Sequence, residues 1–117
     1  MDTLFTTQRV TLKDADVSQI AGTVILGYTC PPGRSAIILS NTAVRTTGAT
    51  ATLDRQLVPV GGVATNIGTP SADNDLQHTQ IALIPGDTFR LVVKVAGAPG
   101  DKDDLVISIL ESNRFSP

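Results

Sequence analysis

The sequence contains few of the residues on which most enzyme sites and many ligand sites depend. Its 117 residues include one cysteine, one histidine, one tyrosine, three phenylalanines and no tryptophan. A single cysteine excludes an intrachain disulfide and a cysteine-rich metal site, and so few rings leave no aromatic platform for bases or sugars. The nine basic and eleven acidic residues form no long run of either sign, so we expect no nucleic-acid partner.

Long apolar segments are missing as well. No run approaches the roughly 20 residues that a membrane helix needs, and the first residues lack the basic region and apolar core of a signal peptide. We therefore expect no membrane partner. The length is that of one domain, large enough to bury a core of its own.

The apolar residues that are present recur at every second position, which is the period of a β-strand. The clearest run is 88–95, where Phe89, Leu91 and Val93 share one face. Similar runs predict strands at 3–12, 22–30, 35–41, 47–58, 76–84 and 104–111. Around Arg55 and Gln56 the alternation loses its parity, which predicts a bulge or bend.

About seven or eight short strands between Pro and Gly turns predict an all-β, single-domain antiparallel β-sandwich, jelly-roll or Greek-key like. A closed barrel is the second choice. We expect residues 1–16 to form an N-terminal arm or edge strand, 17–111 the sandwich and 112–117 a C-terminal tail. The turn Pro31-Pro32-Gly33 predicts that the strands on either side of it lie close together and antiparallel.

Catalytic and metal-binding residues are hard to assemble from this sequence. His78 is the only histidine and has no evident supporting partner, and Cys30 has no nearby cation to activate it, so we expect a structural thiol. The acidic clusters at 73–75 and 101–104 lack the spacing of a calcium loop. We predict that the protein is not an enzyme and has no metal and no cofactor.

The terminal segments offer candidates for partner binding. Each carries one phenylalanine among polar residues, Phe5 and Phe115, together with an arginine, Arg9 and Arg114. Lone aromatic residues in polar segments suit anchors for a neighbour's pocket, although both segments could instead fold back on their own sandwich. Several strands are apolar on both faces, which in a domain of this size favours a homo-oligomer, a dimer or trimer.

Two stretches carry a resemblance to a known group of proteins. The run from Tyr28 to Leu39, with its Pro-x-Gly turn, and the later Pro-Gly-Asp turn before Arg90 resemble small all-β virion proteins of tailed bacteriophages. Capsid cement or decoration proteins are the nearest. The resemblance implies a structural protein of the virion, made in the host cytoplasm, that binds the outer surface of the head and clamps neighbouring copies of the major capsid protein.

Two other functions remain open. The protein could be a small tail or fibre-associated module that recognises a receptor protein or saccharide through loops between 60 and 75, although 59–75 contains no aromatic residue. The loop at 67–75 is a surface excursion or an interaction site. A cupin-like enzyme on the same architecture would need two or three metal-binding histidines, and only His78 exists.

Overall fold

A computed structural model of the protein describes residues 5–48, 52–68, 75–77 and 80–113, which form β-strands joined by turns. The strands are β1 (Phe5–Asp16), β2 (Val24–Thr29), β3 (Arg34–Thr47), β4 (Thr52–Val58), β5 (Thr65–Gly68), β6 (Asp75–Gln77), β7 (Ile81–Leu83), β8 (Thr88–Val95) and β9 (Lys102–Asn113). The described part of the chain contains no helix that is long and apolar enough to cross a membrane.

The strands form two antiparallel sheets whose pairing is nested. In sheet one the order is β1-β9-β3-β6, with β7 also paired to β3, and in sheet two it is β2-β8-β4-β5. The first strand therefore pairs with the last, β2 with β8, β3 with β6 and β7, and β4 with β5. This is the topology of a jelly roll. Because β6 and β7 follow one another along one edge of β3, the described strands fill eight positions, and the predicted sandwich is confirmed.

The core lies between the two sheets, where alternate residues of each strand face the opposite sheet. Leu105, Ile107 and Ile109 of β9 are fully buried, and so are Phe89 and Leu91 of β8. At roughly 25 cal/mol per Å² of apolar surface, such side chains supply most of the stabilisation of a sandwich this size. The alternation that predicted β8 correctly is thus the alternation that separates core from surface.

The predicted pairing of the strands around Pro31-Pro32-Gly33 is wrong. β2 pairs with β8 in sheet two, whereas β3 pairs with β9 in sheet one, so the turn carries the chain from one sheet to the other. Pro31 and Pro32 have no N–H and cannot donate to a hairpin ladder. Cys30 bonds instead to the β7–β8 turn, donating its N–H to the Asp87 carbonyl and accepting from Gly86 N.

An irregularity occurs where the sequence predicted one, at Arg55 and Gln56. The register of β4 with β5 shifts between these residues, and the extra residue, Ile67, belongs to β5. Arg55 itself is 1% exposed and faces the core, where its Nε donates to Oδ1 of Asn41 in the opposite sheet. The parity of β4 looked lost in the sequence because an arginine occupies an inward position.

The terminal strands are integrated into sheet one. β1 is its edge strand and pairs with β9 from Phe5 to Asp16. β9 continues through Ser112 and Asn113, which pair with β3, so these two residues of the segment 112–117 belong to the sheet.

Candidate interaction surface

Two of the four residues expected to bind a partner lie on the same side of the molecule. Phe5 and Arg9 are both exposed on β1, and since they are four residues apart they share one face of the strand. That face points away from the core, because Val10, next to Arg9, packs against the core. Arg114 and Phe115 lie outside the described residues.

The pairing of the strands shows which residues surround Phe5 and Arg9. Across sheet one, Thr7 of β1 is opposite Leu110 of β9, Leu110 is opposite Ile37 of β3, and Ile37 is opposite Ala82 of β7. The same register in the rows above and below, together with Leu39 and Ile84 from the lining of the depressions described next, defines a surface that we call the outer face. Its residues are Phe5, Thr7, Arg9, Ser35, Ile37, Leu39, Ala82, Ile84, Ser108, Leu110 and Ser112.

The outer face is not flat but contains two adjacent depressions. One, of about 260 Å³, lies between Phe5, Ile37, Ile84 and Leu110. The other, of about 520 Å³, is lined by Arg9, Thr7, Gln8, Leu39, Ser108 and Ile109. Phe5 and Arg9 therefore each border one depression, which the sequence could not show.

The shape of this surface has a local cause. Leu39 is an extra residue in β3, since Ile38 pairs with Ile109 and Ser40 with Ser108. Such a bulge increases the local twist and turns a side chain out of the regular row. Short side chains line both depressions, Ser108 in the larger one and Ala82 and Ser112 in the smaller one.

The chemistry of the outer face differs from that of the exposed side of sheet two and from that of the other end of sheet one, where Lys102 and Asp104 occupy outward positions of β9. Arg9 is the only charged residue of the outer face, and the rest are aliphatic, aromatic or hydroxyl side chains. The corresponding face of sheet two carries Arg90 and Lys94 on β8 and Asp54 opposite Val92. Protein interfaces are depleted of charge at their centre and enriched in aromatic residues, so the outer face of sheet one suits contact with a protein.

One end of this surface is held in place by a turn of four residues, Ile84-Pro85-Gly86-Asp87. Asp87 N donates to the Ile84 carbonyl at 3.0 Å, and Ile84 N donates to Asp87 Oδ2 at 3.1 Å. Asp87 Oδ1 also accepts from Val60 N at 2.9 Å, which joins the β4–β5 loop to the turn. With the bonds to Cys30, three loops are fixed around Asp87, and Ile84 is held 52% exposed beside the smaller depression.

A second bond network supports the same end from inside. The Tyr28 hydroxyl of sheet two donates to Glu111 Oε2 of sheet one at 2.6 Å, and Arg34 Nε lies 3.6 Å from Glu111 Oε1. Burial, with a further contribution from the bond to Glu111, raises the pKa of Tyr28 well above its usual range. Tyr28 therefore acts as a neutral donor that joins the two sheets.

The side chains that could serve catalysis or metal binding have structural partners where they are described. Cys30 is buried, with its Sγ 3.4 Å from the Arg34 carbonyl. Within the acidic cluster, Asp103 pairs with Arg45, Asp101 accepts from Ala98 N, and Asp104 accepts from Asp14 N. Among the residues that the structure describes, no three His, Cys, Asp or Glu side chains group as metal ligands. His78 and residues 73 and 74 lie outside the described part.

Comparison with known proteins gives matches in structure only. No protein-family model and no curated protein matches the sequence. A chain in the structure of infectious bursal disease virus Gx strain is similar over 99% of this chain and 34% of its own length, with a TM-score of 0.43 and 13% identity. A family two carbohydrate esterase from Cellvibrio japonicus is similar over 96% and 36%, with a TM-score of 0.29 and 15% identity.

The protein spans about a third of the length of either similar chain. At this level of similarity neither chain carries an argument about what the protein does. The resemblance to small virion proteins of tailed bacteriophages rests on the turn sequences and stays a prediction.

Proposed function

We propose that the protein is a structural protein of a virion, a cement or decoration protein that attaches to the outer surface of a phage head. It clamps neighbouring copies of the major capsid protein and performs no chemistry. The observation that carries the proposal is the outer face of sheet one, where exposed Phe5, Ile37 and Ile84 surround a depression and Arg9 is the only charge.

The fold agrees with this function without deciding it. Jelly rolls serve as capsid proteins, but also as lectins and cupins, so function has to be argued from the surface. The larger depression, of about 520 Å³, falls within the roughly 300–1,000 Å³ of sites that hold a whole small molecule, whereas the one between Phe5 and Ile84, of about 260 Å³, is smaller than that range. The smaller depression suits one or two apolar side chains of a protein partner, which is the usual form of an interface anchor.

The mechanism is adhesion by a charge-poor, preformed surface. The turn at Asp87 and the pairing of β3 with β7 and β9 fix the anchors before binding, so little conformational entropy is lost on contact. Specific contacts of this kind bury on the order of 1,600 Å². A molecule that spans two capsid subunits would gain further from binding both at once.

The test is co-sedimentation of the purified protein with empty capsids of the virus whose genome carries its gene. We expect saturable binding that Ile84→Ser weakens about tenfold or more, because the change removes an apolar anchor. Ile20→Ser is the matched control, since Ile20 is a 79% exposed isoleucine outside the outer face and its loss should leave binding unchanged. No binding to capsids, or equal weakening by both variants, would refute the proposal.

A further inference from the structure

The edge of β1 is a second exposed feature, distinct from the outer face itself. β1 is 12 residues long and pairs with β9 on one side, and no strand in the described part of the chain pairs with its other side. A long edge presents a row of unpaired N–H and C=O groups, which is a template for another strand. Folded proteins usually interrupt such edges with bulges, prolines or charges.

In β1 those interruptions are confined to its second half. The register with β9 shifts between Leu12 and Ala15, where Asp14 has a φ of 52°. Charged residues also concentrate there, at 13, 14 and 16. From Phe5 to Leu12 the strand pairs regularly with β9, contains no proline and carries Arg9 as its only charge. This half of the edge is open to another strand.

We propose that the edge of β1 binds β1 of a second copy, antiparallel, in a two-fold symmetric dimer. The two-fold axis must be perpendicular to the sheet, so two paired residues have side chains on the same face and numbers that are both odd or both even. The axis therefore passes between two identical residues that pair with each other, one from each copy. Strands rich in Thr and Val are suited to this pairing, since both residues favour extended backbone.

Charge and the position of the bulge select the register. Centring on Arg9 would place two arginines directly opposite each other, which is unfavourable, and centring on Val10 would draw the bulge at 13–14 into the ladder. Centring on Gln8 avoids both and pairs seven residues of the regular half, whereas centring on Thr7 would pair only five, 5–9. Centring on Gln8 pairs residues 5–11 of one copy with 11–5 of the other, with Gln8 opposite Gln8 and Thr7 opposite Arg9.

The use of this dimer rests on the proposed function, whereas its formation does not. The dimer would join the two copies of sheet one into one continuous sheet and place their outer faces side by side, so that one particle contacts the capsid twice. The assembly itself is tested without capsids. If the dimer did not form, the proposed adhesion by the outer face would be unaffected. If the protein did not bind capsids, the proposed dimer would likewise be unaffected.

Cross-linking tests the register directly. In Gln8→Cys the two Cβ atoms would lie roughly 5 Å apart across the dyad, within reach of a disulfide after small adjustments. In Thr6→Cys, the control, the two cysteines would be about 14 Å apart along the strands. Both retain the buried Cys30. We expect Gln8→Cys to form a covalent dimer at least tenfold faster under mild oxidation, and equal rates would overturn the register.

Charge substitution tests the pairing by its affinity, measured by light scattering over a dilution series. Thr7→Arg should weaken the dimer about tenfold, because two arginine pairs then face each other, and Thr7→Glu should strengthen it several-fold. Thr11→Arg is the matched control, since residue 11 is also two positions from Arg9 in the same strand but does not face Arg9 of the second copy. Equal effects at 7 and 11, or a monomeric mass for the unchanged protein at every soluble concentration, would overturn the proposal.

Discussion

Tyr28 is the only tyrosine of a chain without tryptophan, so its ionisation can be followed by absorbance without interference. Its burial and its bond to Glu111 raise its pKa from the usual 10.0. The folded state therefore keeps the phenol proton at pH values where the unfolded chain loses it. The stabilisation that the protonated Tyr28 gives to the folded state is fully present below pH 10 and is lost as the pH rises further.

We predict that tyrosinate absorbance in the native protein appears only well above pH 10, and that denaturant restores the ordinary titration. The free energy of unfolding should fall with rising pH in that region. Tyr28→Phe should remove this part of the pH dependence and cost about 1.5–3 kcal/mol at neutral pH, since a bond to a carboxylate is lost. A native titration at the ordinary pH would contradict the buried bond.

Gly48, which directly follows β3, illustrates how closely the backbone approaches a buried carboxylate. It has a φ of 84°, and a Cβ at this position would overlap the carboxylate of Asp101. Gly100 has a similar φ of 92°, but there is open space where a Cβ of residue 100 would lie. Substituting each of the two glycines therefore distinguishes the cost of backbone strain from the cost of steric overlap.

We expect Gly100→Ala to cost about 1 kcal/mol, from the left-handed backbone alone. Gly48→Ala should cost at least twice that, roughly 2–4 kcal/mol, because Asp101 must also move away from Ala98 N. Urea denaturation of both variants measures the difference. Equal losses would mean that the Asp101 carboxylate moves aside without cost.

At the scale of elements, the turns 84–87 and 98–101 are built in the same way. In both, Pro and Gly occupy the middle positions, the Asp N–H donates to the first carbonyl, and the Asp carboxylate accepts from the first N–H. A positive φ at the glycine, with Pro before it, makes each a type II turn. Asp87 Oδ1 also accepts from Val60 N and so couples two loops.

Asp87→Ala should therefore destabilise the protein by about 2–4 kcal/mol, because two N–H groups lose their acceptor. Asp87→Asn keeps one oxygen and should lose roughly half as much. Thermal unfolding of the two variants gives the comparison, and the larger loss should be accompanied by faster amide exchange at Val60. Identical losses for Ala and Asn would show that the negative charge, and not the pair of bonds, matters.

The elements also show what the sequence can and cannot predict. The period of two located β8 at 88–95 because its inward residues are all apolar, and it failed for β5, which has only four residues and ends in glycine. Pairing was harder to predict than position. Whether the strands around Pro31 and Pro32 form a hairpin or cross between sheets depends on partners more than 50 residues away, such as Asp87 for Cys30.

The candidate surface was predictable only in part for a similar reason. Phe5 and Arg9 stand out in a polar segment, so composition alone suggested them. Ile37 and Ile84 look like ordinary strand residues, and only the register of β3 with β7 and β9 brings them beside Phe5. A surface assembled from three or four strands leaves no local signal in any one of them.

At the scale of the whole molecule, the outer face is a charge-poor end of sheet one, whereas the other end of that sheet and the exposed side of sheet two carry several charges. If the protein attaches by the outer face of sheet one, capsid binding should depend little on ionic strength, because exposed charges are what salt screens. We expect the dissociation constant to change by less than about threefold between low and high salt. The net charge of -2 gives no long-range attraction strong enough to alter this.

The difference in charge between the outer face and sheet two also allows the docking side to be assigned by substitution. Phe5→Ser should weaken co-sedimentation with empty capsids about tenfold or more, since Phe5 is 60% exposed at the edge of the smaller depression. Lys94→Gln, on an exposed position of sheet two, should leave it unchanged. Both positions are exposed, so unfolding would not explain a difference. A steep loss of binding with salt, together with sensitivity to Lys94→Gln, would assign the contact to sheet two and reverse the orientation of the protein on the shell.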